Sequence, residues 1–330
     1  MCIRDSNIGD TVTKKNIKYV IKYLFHTDNI THQAIIIHQL NKLINDSDIL
    51  LSLRNYIFKN SNKIKQYPNS LDTCGTGGDG LKTLNISTTV AILLSSVGIP
   101  IAKHGNRAAS SLSGSSDIIS ELKIPNEKNS KKIIKRISND KFVYLNAPFF
   151  YPNLSRVGEV RKKIGIKTIF NYMGPTLNPL GAKFQILGTI DKGSAEIMSK
   201  ILSKIKNKKF TIFFSEDGLD EISIFAPTNF YFKKEKSITK RKISHMVYKK
   251  YLTSKLNFKD IKGGLPSYNA NRLIELFQGK KDSYRDITII NSIYAMQTIK
   301  PDYQFDNCFE ILSNSLDNSI ALNHLNKIKK

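Results

Sequence analysis

The sequence predicts an α/β fold, with a small helical domain beside a larger α/β domain built on a mostly parallel central sheet. Three observations predict it. Residues 14–65 carry apolar positions such as Ile17, Val20, Ile21 and Leu24 at the i, i+3, i+4, i+7 spacing of helices that bury one face. From Leu71 onward, short apolar and partly β-branched runs alternate with helical stretches, the texture of strand–helix–strand units. The chain's 330 residues, 40 % of them apolar, suffice for two domains and a buried interior.

Taken in order, Asp46 is placed to cap a helix running through Leu50–Phe58, and Asn60–Asn69 reads as a polar linker. Leu71–Thr73 reads as a strand end, followed by a glycine loop and a helix through Thr88–Val97. Ile99–Lys103 is a second strand, followed by the Gly/Ser-rich Gly105–Ser116 and a further helix. Phe142–Leu145, Phe184–Leu187 and Phe210–Phe214 are further strand candidates. Asn153–Asn178 reads as helical again and is expected to return onto the N-terminal helices. The helical domain is therefore drawn from residues 1–70 with 153–178, and the α/β domain from 71–152 with 179–330. A cleft between them is the natural ligand site. Nothing is assigned to Met1–Ser6.

The bulk properties exclude several classes. The longest apolar run, Val90–Ala102, is interrupted by Ser95, Ser96, Gly98 and Pro100 and is too short for a membrane span. Met1–Lys15 has no apolar signal region, and the three cysteines, Cys2, Cys74 and Cys308, form no metal or disulfide pattern, so a reducing cytoplasm is expected. Cys74 reads as a small buried residue at a strand end, because no base stands at a suggestive spacing. The formal charge of +24 comes from lysines scattered over surface-like segments such as Lys204–Lys209, Lys233–Lys242 and Lys327–Lys330. Compositional bias and attraction for an anionic substrate explain it, with nucleic-acid binding as the alternative.

The chemistry lies in the loops that follow the strands. Asp72-Thr-Cys-Gly-Thr-Gly-Gly-Asp-Gly80 places four glycines within six residues. Glycine permits positive φ and removes Cβ, so successive backbone N–H groups can converge on an anion. The helix beginning near Asn85-Ile-Ser-Thr88 adds an N-terminal dipole and hydroxyls. The spacing fits neither a Walker loop nor a dinucleotide fingerprint, and alone it is also the mark of a plain turn. Lys103-His-Gly-Asn-Arg107 and Ser110–Ser116 form a second donor-rich loop after a strand. Two such loops converge at the carboxyl ends of a parallel sheet, a donor density suited to a pyrophosphate. That ligand travels with Mg²⁺, which takes oxygen ligands, and Asp220-Glu221 are adjacent carboxylates of the right type. Adjacent acids on a solvated surface turn are the plain alternative.

These motifs jointly resemble the anthranilate phosphoribosyltransferases. Gly75-Thr-Gly-Gly-Asp-Gly80, Asn85-Ile-Ser-Thr88, Lys103-His-Gly-Asn-Arg107 and Ser113-Gly-Ser-Ser-Asp117 follow in that family's order. Arg161-Lys-Lys-Ile-Gly165, Thr168-Ile-Phe-Asn171, Gly174-Pro175, Leu177-Asn-Pro179 and Gly218-Leu-Asp-Glu221 extend the match. Gly263-Gly264 with Asn269-Ala270, and Arg285-Asp286 with Asn291, carry it towards Met296. The resemblance implies the fold of the nucleoside phosphorylase/phosphoribosyltransferase class and a homodimer. It implies transfer of the 5-phosphoribosyl group of phosphoribosyl pyrophosphate to the amine of anthranilate, with Mg²⁺ as cofactor and no membrane or nucleic-acid partner. By the same resemblance the donor is held by Gly75, Gly78, Asp79, Thr83, Asn85, Ile86, Ser87 and Thr88. The second loop adds Lys103, His104, Gly105, Asn106, Arg107, Ala108, Ala109, Ser110, Ser111 and Ser115. Gly75, Asn106 and Arg161 face anthranilate, with the Arg161 fork on its carboxylate. Ser87, Asp220 and Glu221 hold Mg²⁺, and no covalent nucleophile is implied. His104 is a tempting base, but Lys103 and Arg107 beside it disfavour its protonation, so positioning is its expected role.

Three positions depart from the family. Tyr151-Pro152-Asn153 stands where His-Pro-Ala is usual, Lys167 where Arg is usual, and Tyr268 where a carboxylate is usual. Two rival readings are a pyrimidine nucleoside phosphorylase and a nucleic-acid-binding relative without anthranilate activity. The first uses a Lys-x-Ser-Thr-Gly-Gly-Val-Gly-Asp loop that Asp72–Gly80 does not follow. The second is favoured by the net charge and opposed by Asn106, Arg161, Asp220 and Glu221 all standing in place.

Overall fold

A computed structural model describes residues 12–77, 80–106, 112–233, 235 and 237–330. Three helices open the chain: α1 (Ile17–His26), α2 (Ile30–Lys42) and α3 (Ser47–Lys59). Asp46 caps α3 as its sequence position predicts, accepting from the N–H groups of Asp48 and Ile49.

The sheet follows with β1 (Leu71–Gly75), α4 (Ile86–Ser96), β2 (Ile101–Gly105), α5 (Ser115–Glu121), α6 (Ser130–Asp140) and β3 (Phe142–Asn146). After β3 come the short α7 (Ala147–Phe150) and α8 (Gly158–Ile164), then β4 (Phe184–Gly188), α9 (Lys192–Ser203) and β5 (Lys209–Ser215). A hairpin of β6 (Thr228–Lys233) and β7 (Ile238–Ile243) precedes four closing helices: α10 (Pro266–Phe277), α11 (Ser283–Ile299), α12 (Phe305–Asp317) and α13 (Ile320–Ile328). The seven strands are ordered β3-β2-β1-β4-β5-β6-β7. The first five are parallel and the last two antiparallel.

Alternation along each strand explains why these runs are apolar on both faces. Ile101, Phe142, Tyr144 and Ile186 point into one core, shared with α4 and α11. Their neighbours Ala102, Val143, Leu145 and Leu187 point into the other, shared with α1–α3 and α9. The N-terminal helices therefore share their core with one face of the sheet.

Two expectations are corrected. Residues 153–178 do contact α1 and α2, yet they form α8 and three 3-10 turns rather than continuous helix. Gly165, left-handed at the end of α8, and Pro175 break the helical ladder there. The lysine-rich 233–242 stretch, read as a charged surface segment, enters the sheet and supplies its edge strand β7, exposed along nearly its whole length. Lysines on an edge strand keep its open ladder in water and discourage pairing with another chain. Lys208, in another such segment, is buried and donates to the Ala182 carbonyl.

Candidate functional site

The carboxyl ends of β1, β2, β4 and β5 lie along one edge of the sheet, and the loops singled out in the sequence leave from it. Gly75 stands opposite Gly188, and Gly105 opposite Asn146. Asp220 is wedged against the first pair. A Cβ on Gly75 would stand 2.6 Å from the Asp220 Oδ2, and one on Gly188 would overlap the Asp220 carbonyl oxygen. Close approach, rather than positive φ, is what these two glycines supply. Gly188 had no role in the sequence reading; a lone glycine closing an apolar strand was its only signal.

The acid pair is clasped from behind. Ser215 Oγ donates to the Glu221 carbonyl at 2.7 Å. The buried Asn291 on α11 accepts from the Ile222 N–H at 2.9 Å and donates to the Ile222 carbonyl at 3.0 Å. It donates also to the Ile287 carbonyl of its own helix. Asn291 matched the family pattern but carried no role from sequence, because its partner lies 69 residues away.

Lys103 is buried at the centre. Its ammonium donates to the Thr73 carbonyl at 2.7 Å, and to the hydroxyls of Thr73 and Ser87 at 3.3 Å each. Burial pulls its pKa below the ordinary lysine value, against the opposing pull of Asp72, Cys74 and Glu221. The cation thus joins β1, β2 and the first turn of α4, within reach of the acid pair's field. Asp72 is fully buried too. One of its oxygens accepts from the His104 N–H, and the other has no partner among the described residues.

Asn85, just before α4, is a hub. Its Oδ1 accepts from Asn269 Nδ2 at 2.8 Å and from Ser113 Oγ at 3.3 Å, while its Nδ2 donates to the Ser113 carbonyl. Asn269 in turn accepts from the Gly264 N–H. Thr88 donates to Ser115 at 3.4 Å, and a Cβ on Gly105 would stand 3.1 Å from Ser115 Cβ. Thr83 bridges to Lys262, and Gly263 lies so close to the Thr83 carbonyl that a side chain there has no room. Ile86 turns its side chain into the core and gives its N–H to the Leu84 carbonyl. The Asn106 carbonyl accepts from the Ser116 N–H. Gly78, Asp79, Arg107, Ala108, Ala109, Ser110 and Ser111 lie outside the described residues.

Two tempting reactive groups are quiet. Burial lowers the His104 pKa to about 4, with Lys103 a lesser cause, so its imidazole is neutral at physiological pH. Desolvation, rather than the neighbouring cations expected from sequence, is the chief cause. The His104 ring meets Tyr151 edge-on at 5.7 Å, and Tyr151 donates to the Leu177 carbonyl. Burial likewise pushes the Cys74 thiol up to about 12, and its sulfur accepts from Gln185 Nε2.

Arg161 sits on α8, beyond the turn that leaves β3. Its guanidinium stacks over Phe170 at 5.3 Å, and burial lowers its pKa. Among the described residues it forms no ion pair, so its charge is unspent. Lys167 is exposed, and Tyr268 is half exposed beside Gly264.

For a metal, the described residues contain no group of three or more His, Cys, Asp and Glu side chains. Two adjacent carboxylates are oxygen ligands of the kind a magnesium ion takes, with its remaining oxygens from substrate and water; with no thiolate or imidazole among the described residues to complete a group of three, they do not suit zinc. The arrangement can cradle a polyanion, balance its charge and orient a second reactant. Among the described residues it offers no activated nucleophile.

The chain is similar in sequence and in fold to known proteins. Residues 67–322 match the family model described as glycosyl transferase family, a/b domain. The chain is 40 % identical over 226 residues to an anthranilate phosphoribosyltransferase of Methanosarcina acetivorans, covering 68 % of this chain and 60 % of that protein. The match therefore spans about three-fifths of that relative's length. A Desulfitobacterium hafniense protein of the same name is 35 % identical over 267 residues, covering 81 % of this chain and 79 % of its own. The fold is similar to that of anthranilate phosphoribosyltransferase from Saccharomyces cerevisiae, solved in complex with PRPP and Mg. That similarity has a TM-score of 0.83 at 23 % identity over 94 % of this chain and 90 % of that one.

Proposed function

We propose, from a chain that belongs to the anthranilate phosphoribosyltransferase family of glycosyl transferases, that it moves the 5-phosphoribosyl group of phosphoribosyl pyrophosphate onto the amine of anthranilate. The observation that carries the reading is the junction at the carboxyl edge. Gly75, Gly188 and Asp220 meet there in contact, and the buried Lys103 binds the first turn of α4. In this reading the junction sets a fixed cation and a carboxylate pair suited to a metal beside the glycine run that would hold phosphate.

In this reading the amine nitrogen forms a bond to the anomeric carbon of ribose as the bond to pyrophosphate breaks. The amine's proton passes to solvent or to the departing phosphate. The glycine loop and the residues Thr83, Asn85, Ser87, Thr88 and Ser115 hold the donor, and Asn106 and Arg161 hold anthranilate. Arg161 is apt because its fork is unspent and already stiffened by Phe170. Asp220, Glu221 and Ser87 would hold Mg²⁺, which supplies charge neutralisation on the leaving pyrophosphate when bound. Orientation and stabilisation of developing charge carry the rate, so the neutral His104 positions rather than titrates. Gly78, Asp79 and Arg107–Ser111, outside the described residues, belong to the donor grip in the same proposal. So does the division into a helical domain, 1–70 with 153–178, and an α/β domain. A homodimer in the cytoplasm is the expected setting. Among the described residues no helix is long and apolar enough to cross a membrane.

The test is loss of anthranilate fluorescence on adding the donor with Mg²⁺, and its absence without the metal. Arg161→Ala should raise the anthranilate KM at least tenfold more than the donor KM, as expected for loss of a bidentate carboxylate contact. Equal effects on both constants would refute the assigned role. No turnover, together with steeply salt-dependent DNA binding, would favour the nucleic-acid reading.

A further inference from the structure

At the opposite edge of the sheet, where β1 and β4 begin, the fold forms a half-open cavity of about 350 Å³ that the reaction described above does not use. Its walls are mostly apolar: Leu71 and Phe184 open the two strands, Ile99 leads into β2, and Met296 comes from the last turns of α11. Gly98 lies at its margin in the left-handed region, at φ +86°, with nothing within 4 Å of where a Cβ would stand, so the margin is not filled by a side chain. An apolar cavity of about 150 Å³ already holds a benzene. This one has room for one or two fused rings and is of the size that small-molecule sites occupy.

The charge around it is one-sided. Lys300, at the end of α11, donates to the Tyr303 hydroxyl at 2.8 Å, and both residues line the cavity. The Lys183 ammonium lies 5.4 Å from the centre of the Phe184 ring. Among the described residues neither lysine has a carboxylate partner. Asn69, a further lining residue, is exposed with an amide that bonds to no described group. An apolar floor with an unneutralised ammonium and a free amide at its rim is complementary to a ring that carries an acid.

We propose that this cavity is a second ligand site, remote from the carboxyl edge, for a small apolar carboxylate of one or two rings whose acid group pairs with Lys300. The proposal does not depend on the reaction assigned to the carboxyl edge. It is tested by calorimetric titration of the full chain with 2-naphthoate and with its neutral amide, 2-naphthamide. The acid should bind about tenfold more tightly than the amide, the size of effect that one well-placed opposite charge confers. Lys300→Glu should weaken the acid by about tenfold or more and leave the amide within about twofold. Lys300→Arg should retain the acid, and Lys300→Glu should keep full turnover, which also shows that it folds. The proposal is overturned if neither compound binds or if the acid binds no better than the amide. It is equally overturned if acid affinity survives Lys300→Glu and disappears in Arg161→Ala, which would place the acid at the reaction site.

Discussion

Replacing Gly188 by alanine probes the carboxyl edge most directly. The added methyl would occupy the space of the Asp220 carbonyl oxygen and crowd Phe213 Cε2 at 3.2 Å. Carbon–oxygen contacts settle beyond about 3 Å, so the backbone at Asp220 must retreat by more than about 1 Å. Backbone yields less readily than a side-chain tip, and this stretch is clasped by Asn291 through Ile222 and by Ser215 through Glu221. A displacement of about 1 Å in a positioned group costs about a hundredfold in rate. Gly188→Ala should therefore lower kcat/KM for the donor about a hundredfold and raise the Mg²⁺ concentration for half-maximal rate. Gly75→Ala meets Asp220 too, at 2.6 Å, but through the movable Oδ2, so its loss should be clearly smaller. Steady-state assays across a magnesium titration, with circular dichroism to verify folding, measure both variants. Parental activity and magnesium dependence in Gly188→Ala, or a greater loss in Gly75→Ala, would refute the reasoning.

Other outcomes follow from the same contacts. Asn291→Ala leaves the buried N–H and carbonyl of Ile222 without partners and should cost about 2–4 kcal/mol in urea unfolding; a loss below about 0.5 kcal/mol would contradict the clasp. His104 has a folded pKa of about 4 and an unfolded value near 6.5, so the unfolded chain takes up the proton first as pH falls. Its neutral burial costs nothing above about pH 6.5 and up to about 3 kcal/mol by pH 4. His104→Gln should flatten part of the acid limb of stability, while His324, also lowered to about 4, keeps the remainder. An unchanged limb would mean that His104 is not buried neutral. Cys74, pushed up to about 12, should resist iodoacetamide in the native chain at pH 8. Cys74→Ser should keep most of the activity; fast alkylation with parallel inactivation would reinstate it as a reactive group.

Much of the candidate site is legible in the sequence because its motifs are local. A glycine run after a strand and a hydroxyl-rich helix start each declare themselves within a few residues. A lysine closing an apolar run and two adjacent acids do so as well. The strand pattern was equally legible, since five of the seven strands are short apolar runs buried on both faces. The hairpin β6–β7 was missed because its edge strand is exposed and lysine-rich, which reads as surface. Residues 153–178 were over-read as helix, since apolar spacing survives there while glycine and proline keep breaking the hydrogen-bond ladder.

By itself the sequence set the expectation of a ligand chemistry: a glycine run for an anion after one strand, a lysine at the next, and acids suited to a metal after a third. Only the tertiary structure decided how these parts are held. Gly188 makes room for Asp220, Asn291 clasps Ile222 from another helix, and Asn85 is shared between Ser113 and Asn269. The same holds for protonation, where burial keeps His104 neutral and Cys74 a thiol. The physical reason is range. Backbone conformation and side-chain type act over a few residues and are written in order along the chain. Contact, desolvation and crowding depend on which distant segments the parallel register brings together.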